Sequence, residues 1–155
     1  LPADLPDVLA PDAIRLAQRA VDKTDALRRS GGLLVEIGAV EPGYAAAMLE
    51  REEMVTTYVG EGFAIPHGTN EARALVRRTA LGFIQFPDGV DWGDGVVHVC
   101  MPIAASGEEH MALLSALAET LLDPEQAARL RGATSVDDVL AILAPDSTPH
   151  EEASP

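Results

Sequence analysis

Cysteine is almost missing from this chain. Cys100 stands alone among 155 residues, which excludes an internal disulfide and suits a reducing, cytoplasmic setting. Aromatic residues are scarce too: with three Phe, two Tyr and one Trp, the interior must be filled by Leu, Val, Ala and Ile. Basic residues are outnumbered, 11 Lys and Arg against 25 Asp and Glu, giving a formal net charge of -14. That balance speaks against non-specific nucleic-acid binding, which needs basic patches to neutralise phosphate. It fits a soluble protein, or one whose partner is basic. No apolar run approaches the ~18 residues of a membrane span. The start, Leu1-Pro2-Ala3-Asp4-Leu5-Pro6, lacks the basic-then-apolar order of a signal peptide. It opens on Leu1 rather than Met and reads as a trimmed N-terminus. No Gly-x-x-x-x-Gly-Lys phosphate loop or Gly-x-Ser-x-Gly elbow occurs. Cys-x-x-Cys and His-x-x-x-His spacings are missing as well, so no metal is expected, and the Gly-x-Gly at 60–62 precedes a strand rather than following one, so no cofactor is expected either.

What is present is enough for one compact core: 47% of the residues are apolar. Residues 1–11 carry three prolines and read as a flexible arm, and 145–155, Pro/Ser/Glu-rich, as a disordered tail. Residues 12–144 then form the domain. Alternation predicts a short strand in 13–18. Helical spacing follows over 22–40, with Asp22 or Thr24 as cap; Gly31-Gly32 weakens this helix unless another element packs close. A second helix covers 41–54, with Pro42 in its first turn. Residues 62–67 form a strand that stops at Pro66. Residues 79–87 and 96–105 are apolar on both faces, as in covered strands, with a turn region at 88–95. A Ser-x-x-Glu capping box at 106–109 starts a third helix running to about Leu122, and a fourth covers 136–143. Strands interleaved with helices predict a single α/β layered domain, with a mixed parallel and antiparallel sheet flanked by helices.

The chemistry centres on "GEGFAIPHGTNEA", residues 60–72. His67 follows a strand end and opens a Gly-Thr turn, where α/β sheets build sites. A neutral imidazole there can act as base, metal ligand or nucleophile, or merely cap the turn. His110 falls in the first turn of the third helix, its ring leaning toward the positive helix end where an anion is welcome. The plainer reading is a surface histidine. If the strands preceding His67 and His110 run parallel, both rings open onto one sheet edge. Arg51 is in reach of that place and suits bidentate phosphate contacts, though it could equally pair with Glu50, Glu52 or Glu53. Thr56, Thr57 and Thr69 could add hydroxyl donors or be ordinary loop threonines. His98 and Cys100 share a strand face and suggest half a metal site. A hydrogen-bonded, partly buried histidine accounts for them as well, and neither receives a role. His150 sits in the tail.

The stretch "MLEREEMVTTYVGEGFAIPHGTNEA" (48–72) resembles the active-site segment of the mannitol/fructose family of enzyme IIA proteins of the bacterial phosphoenolpyruvate-dependent sugar phosphotransferase system. "FIQFPDGVDWG" (83–93), "IAASGEEHMALLSALAETLLD" (103–123) and "ATSVDDVLAIL" (133–143) are similar to its mannitol branch, collinearly over about 12–143. The resemblance implies a mixed sheet between helices. It implies that His67 accepts a phosphoryl group from the histidine-containing phosphocarrier protein and passes it to a cysteine of an EIIB component. Arg51 and His110 would be the active-site arginine and second histidine. The membrane would be reached only indirectly, through EIIC, and no metal is required. The acidic surface would then rim an apolar patch and speed docking of a basic carrier. A regulatory, nitrogen-type EIIA acting by phosphorylation-dependent protein binding is the alternative. Freestanding and fused EIICBA forms both fit the sequence.

Overall fold

The computed structural model describes residues 8–105 and 108–144. Its main sheet holds five strands in the order β1 (Ile14–Arg15), β5 (Phe83–Asp91), β6 (Val96–Cys100), β3 (Phe63–Ala64) and β2 (Tyr58–Gly60). β1 runs parallel to β5 and β3 parallel to β6, while β5–β6 and β2–β3 are antiparallel. The mixed sheet expected from the sequence is therefore observed. A second, two-stranded antiparallel sheet joins β4 (Ala80–Leu81) to β7 (Ile103–Ala104).

The central strands are apolar on both faces because each face is covered. Phe63, Phe83 and Val99 enter one core with Leu113, Leu117, Leu130 and Val139 from α3 (Glu108–Leu121), α4 (Pro124–Arg131) and α5 (Val136–Leu143). The next residue along each strand, Ala64, Ile84 and Cys100, points into a second core with Ala26, Leu27 and Leu33 of α1 (Lys23–Glu36). A third core joins α1 to α2 (Tyr44–Met54) and to the 3-10 segment Asn70–Leu75, through Leu34, Tyr44, Met48 and Ala72. α1 is capped by Asp22, whose carboxylate accepts from the Asp25 N–H. Gly31 is the close-approach glycine of that helix: a Cβ there would stand 2.5 Å from the Ala45 Cβ of α2, whereas Gly32 faces open space.

Several boundaries differ from the sequence expectation. Val8 and Leu9, assigned to the arm, are core residues at 7% and 3% exposure. Residues 1–7 and the tail 145–155 lie outside the described residues, as do Ser106 and Gly107 of the capping box. The strand expected over 79–87 breaks at Gly82, where a Cβ would meet Leu33 Cδ2 at 2.8 Å, and 96–105 breaks at Pro102, which has no N–H for the ladder. β5 instead continues to Asp91, across a register shift between Gln85 and Val90. Only Trp92–Gly95 turns, and Trp92 itself is buried in the α1-side core. α1 stops at Glu36, short of 40. α4 was not anticipated; its cap Asp123, accepting from the Glu125 N–H ahead of a first-turn Pro124, was the available signal.

Candidate active site

Parallel β3 and β6 bring two histidines together. Past β3 the chain stays beside the continuation of β6: Ile103 N–H donates to the Pro66 carbonyl at 2.9 Å, and His67 bridges Ile103 in parallel register. β7 leads into α3, and His110 lies in that helix's first turn. The two rings meet edge-on, with centroids 4.6 Å apart and planes at 64°.

His67 is only 9% exposed, and its Nδ1 lies 2.9 Å from the Ile65 carbonyl oxygen. A carbonyl only accepts, so Nδ1 carries the proton and Nε2 keeps its lone pair. Burial pushes the pKa of His67 down to about 4, with the neighbouring His110 and Arg51 acting in the same direction. The ring is therefore neutral and nucleophile-competent at pH 7. His110 is half-buried, and its pKa is lowered by burial, then by Arg51 and Arg73.

Both imidazoles line an open cavity of about 410 Å³ together with Arg51, Arg73, Thr69 and Tyr44. Arg51, in the last turn of α2, donates from Nη1 to the Val55 carbonyl at 2.5 Å. Among the described residues it forms none of the glutamate pairs weighed from the sequence. Met54 and Met111 stand 67% and 61% exposed beside the cavity, an apolar margin to a lining that carries two arginines and Glu71.

The threonines divide. Thr69 lines the cavity, but Thr56 and Thr57 turn away and donate their hydroxyls to Glu52 at 2.6 and 2.5 Å. The hydroxyl-donor role expected for those two at the cavity is corrected accordingly: a buried carboxylate outcompetes the cavity for both groups. His98 Nδ1 lies 3.3 Å from the Phe86 carbonyl oxygen, and Cys100 is fully buried with its thiol pushed up to about 12 by burial. Neither lines the cavity. Among the described residues no group of three or more His, Cys, Asp or Glu side chains could hold a metal ion, and no helix is long and apolar enough to cross a membrane.

The family model for the phosphoenolpyruvate-dependent sugar phosphotransferase system, EIIA 2, matches residues 7–145. The chain belongs to this enzyme IIA family. It is 40% identical over 136 residues to the mannitol-specific phosphotransferase enzyme IIA component of Halalkalibacterium halodurans, covering 88% of this chain and 94% of that one. It is 43% identical over 131 residues to the multiphosphoryl transfer protein of Escherichia coli O157:H7, covering 84% of this chain and 35% of that protein. The chain thus spans about a third or less of the multiphosphoryl transfer proteins it matches. Its fold superposes on mannitol enzyme IIA in the complex with phosphorylated enzyme IIB from Escherichia coli with a TM-score of 0.83 at 38% identity, covering 89% of this chain and 99% of that one.

Two residues of this candidate site were not singled out from the sequence. Tyr44 is buried; its hydroxyl donates to the Ile103 carbonyl at 3.0 Å and accepts the Gly68 N–H at 2.9 Å, tying the His67 turn to the strand that leads to His110. Gly68 permits this approach, since a Cβ there would lie 2.7 Å from the Tyr44 ring. Arg73 adds a second guanidinium, and its place in the segment just after the His67 turn was the signal for it.

Proposed function

We propose that the chain is a mannitol-type EIIA phosphocarrier. It accepts a phosphoryl group on His67 Nε2 from the histidine-containing phosphocarrier protein and passes it to the cysteine of an EIIB component during sugar uptake. The observation that carries the reading is the fixed tautomer. The Ile65 carbonyl accepts a hydrogen bond from Nδ1–H, which leaves Nε2 with its lone pair on a ring that lines a cavity with Arg51, Arg73 and His110. In the first step the Nε2 lone pair attacks phosphorus, and the bond to the donor imidazole breaks with its electron pair returning to that ring. In the second, a cysteine thiolate attacks phosphorus and the pair of the P–N bond returns to His67. Such transfer needs in-line placement and charge balance more than proton chemistry.

The phosphohistidine bears about two negative charges near neutral pH, by analogy with phosphorylated side chains. Arg51 offers its planar fork, Arg73 and His110 further donors, and the first turn of α3 the positive end of a helix dipole. The exposed Met54 and Met111 supply apolar contact around the entrance for a partner's own phosphate-bearing loop. The names of the relatives support the mannitol branch and the EIIB partner.

Intact-mass measurement after mixing the chain with phosphoenolpyruvate, enzyme I and the phosphocarrier tests this. One acid-labile phosphoryl group is expected, absent in His67→Ala and discharged by a mannitol EIIB. Labelling that EIIB cannot discharge would turn the reading to a regulatory EIIA. Labelling that survives in His67→Ala would remove His67 from its role.

A further inference from the structure

Glu52 is the only buried carboxylate among the described residues, 7% exposed. Burying an ionised carboxylate is unfavourable unless every lone pair is used. Here they are. Oε1 accepts from the Thr57 hydroxyl at 2.5 Å; Oε2 accepts from the Thr56 hydroxyl at 2.6 Å, the Trp92 Nε1–H at 3.1 Å and Lys23 Nζ at 3.1 Å. The Thr57 N–H lies 3.1 and 3.0 Å from the two oxygens. Burial alone would raise its pKa; the donated bonds from Thr56, Thr57 and Lys23 outweigh that and hold it below its ordinary value. Replacing such a group by a well-packed apolar one is often neutral for stability, so its burial calls for another explanation.

That explanation lies in what Thr57 touches next. Its carbonyl accepts the Ile65 N–H at 3.0 Å, and the Ile65 carbonyl oxygen is the group facing His67 Nδ1 at 2.9 Å. The same clamped segment begins at Val55, whose carbonyl holds Arg51. One carboxylate therefore anchors both the segment that orients the imidazole and the segment that orients the guanidinium.

We propose that Glu52 is a positioning residue for phosphoryl transfer. It fixes Thr57, Thr57 fixes the Ile65 peptide, and the Ile65 carbonyl holds His67 as the Nδ1–H tautomer with Nε2 presented to phosphorus. This inference rests on the phosphocarrier reading and adds a residue that never meets the phosphoryl group.

The test is ¹⁵N NMR of the His67 ring nitrogens, run beside single-turnover phosphorylation, in wild type, Glu52→Gln, Thr57→Val and Thr57→Ser. Wild type should show the Nδ1–H tautomer. Glu52→Gln and Thr57→Val should show a tautomer mixture and slow phosphorylation by roughly tenfold to a hundredfold, as misplacement of a reacting group does. Thr57→Ser, which keeps the hydroxyl, should restore both. If Glu52→Gln does not fold, the Thr57 pair decides alone. Variants that melt earlier yet keep the wild-type tautomer and rate would overturn the proposal. Wild-type protein that takes no phosphoryl group would overturn the proposed function instead, while the tautomer shifts still decide the coupling between Glu52 and His67.

Discussion

His98 lies within β6 and His67 just past β3, the parallel neighbour of β6; the two make the same first contact, yet they differ in everything that matters for chemistry. Each turns Nδ1 toward a main-chain carbonyl, Ile65 at 2.9 Å and Phe86 at 3.3 Å. His98 sits within β6, beside two glycines: a Cβ at Gly89 would stand 3.1 Å from its ring and one at Gly62 3.5 Å away. It fills space against the main chain. His67 sits beyond the end of β3, at a single bridge to Ile103, where a second histidine, two arginines and open volume are available. An imidazole bonded to a carbonyl is thus only a satisfied side chain. Placement past a strand end, in a cavity also lined by two arginines, makes it a candidate nucleophile.

The widest separation between the two should come from removing each ring. His67→Ala is expected to lose phosphoryl acceptance altogether, and His98→Ala to keep wild-type single-turnover rates. Comparable losses in two folded variants would break the contrast.

Next in size is Arg51→Lys. A lysine has the charge but not the planar fork that can hold the Val55 carbonyl and still offer donors to an anion in the cavity. Phosphorylation should slow by roughly tenfold to a hundredfold, within the range for losing one oriented donor to developing charge. A wild-type rate would show that Arg51 acts as a point charge.

A smaller loss, about tenfold, is expected for His110→Ala, the size of one charge-assisted hydrogen bond. Rapid-quench kinetics with the carrier in excess would measure it, and an unchanged rate would make the edge-on contact of the two rings incidental.

The pH dependence sharpens the comparison without mutation. With a pKa of about 4, set first by burial, His67 stays neutral at pH 5, where an unperturbed imidazole is mostly protonated. NMR titration should find its midpoint near 4, and phosphorylation should not decline between pH 7 and 5 on its account. The unfolded chain binds this proton near pH ~6.5 and the folded chain only near 4, so stability contributed by His67 is full above ~6.5 and falls as pH drops toward 4. A midpoint at 6 to 7 would mean that the ring is more hydrated than its 9% exposure implies.

Much of the fold was legible because it rests on local patterns. Asp22 caps α1, the fourth helix expected over 136–143 is found as α5, and the apolar runs 79–87 and 96–105 announce a covered sheet although their bounds differ. The breaks at Gly82 and Pro102 were not legible. Gly82 is required by a side chain of α1, and Pro102 ends a ladder whose existence depends on β5. α4 was hidden because only Ala127 and Leu130 of its eight residues are buried, too few to mark a helical stripe.

By itself the sequence offered the candidates. Pro66-His67-Gly68 after a strand, His110 in a helix's first turn and Arg51 ahead of them are local features, and the family resemblance, not their spacing, supplied the expected roles of nucleophile and companions. Only the tertiary structure decided which of these groups meet and which nitrogen is free. The parallel pairing of β3 with β6 places two histidines 43 positions apart within 4.6 Å. The Ile65 carbonyl selects the tautomer, and Glu52 draws Thr56 and Thr57 away from the cavity. The meeting of the rings depends on chain segments remote in sequence; the other two contacts span only two to five residues, but their hydrogen bonds are won or lost over fractions of an ångström that no residue pattern records.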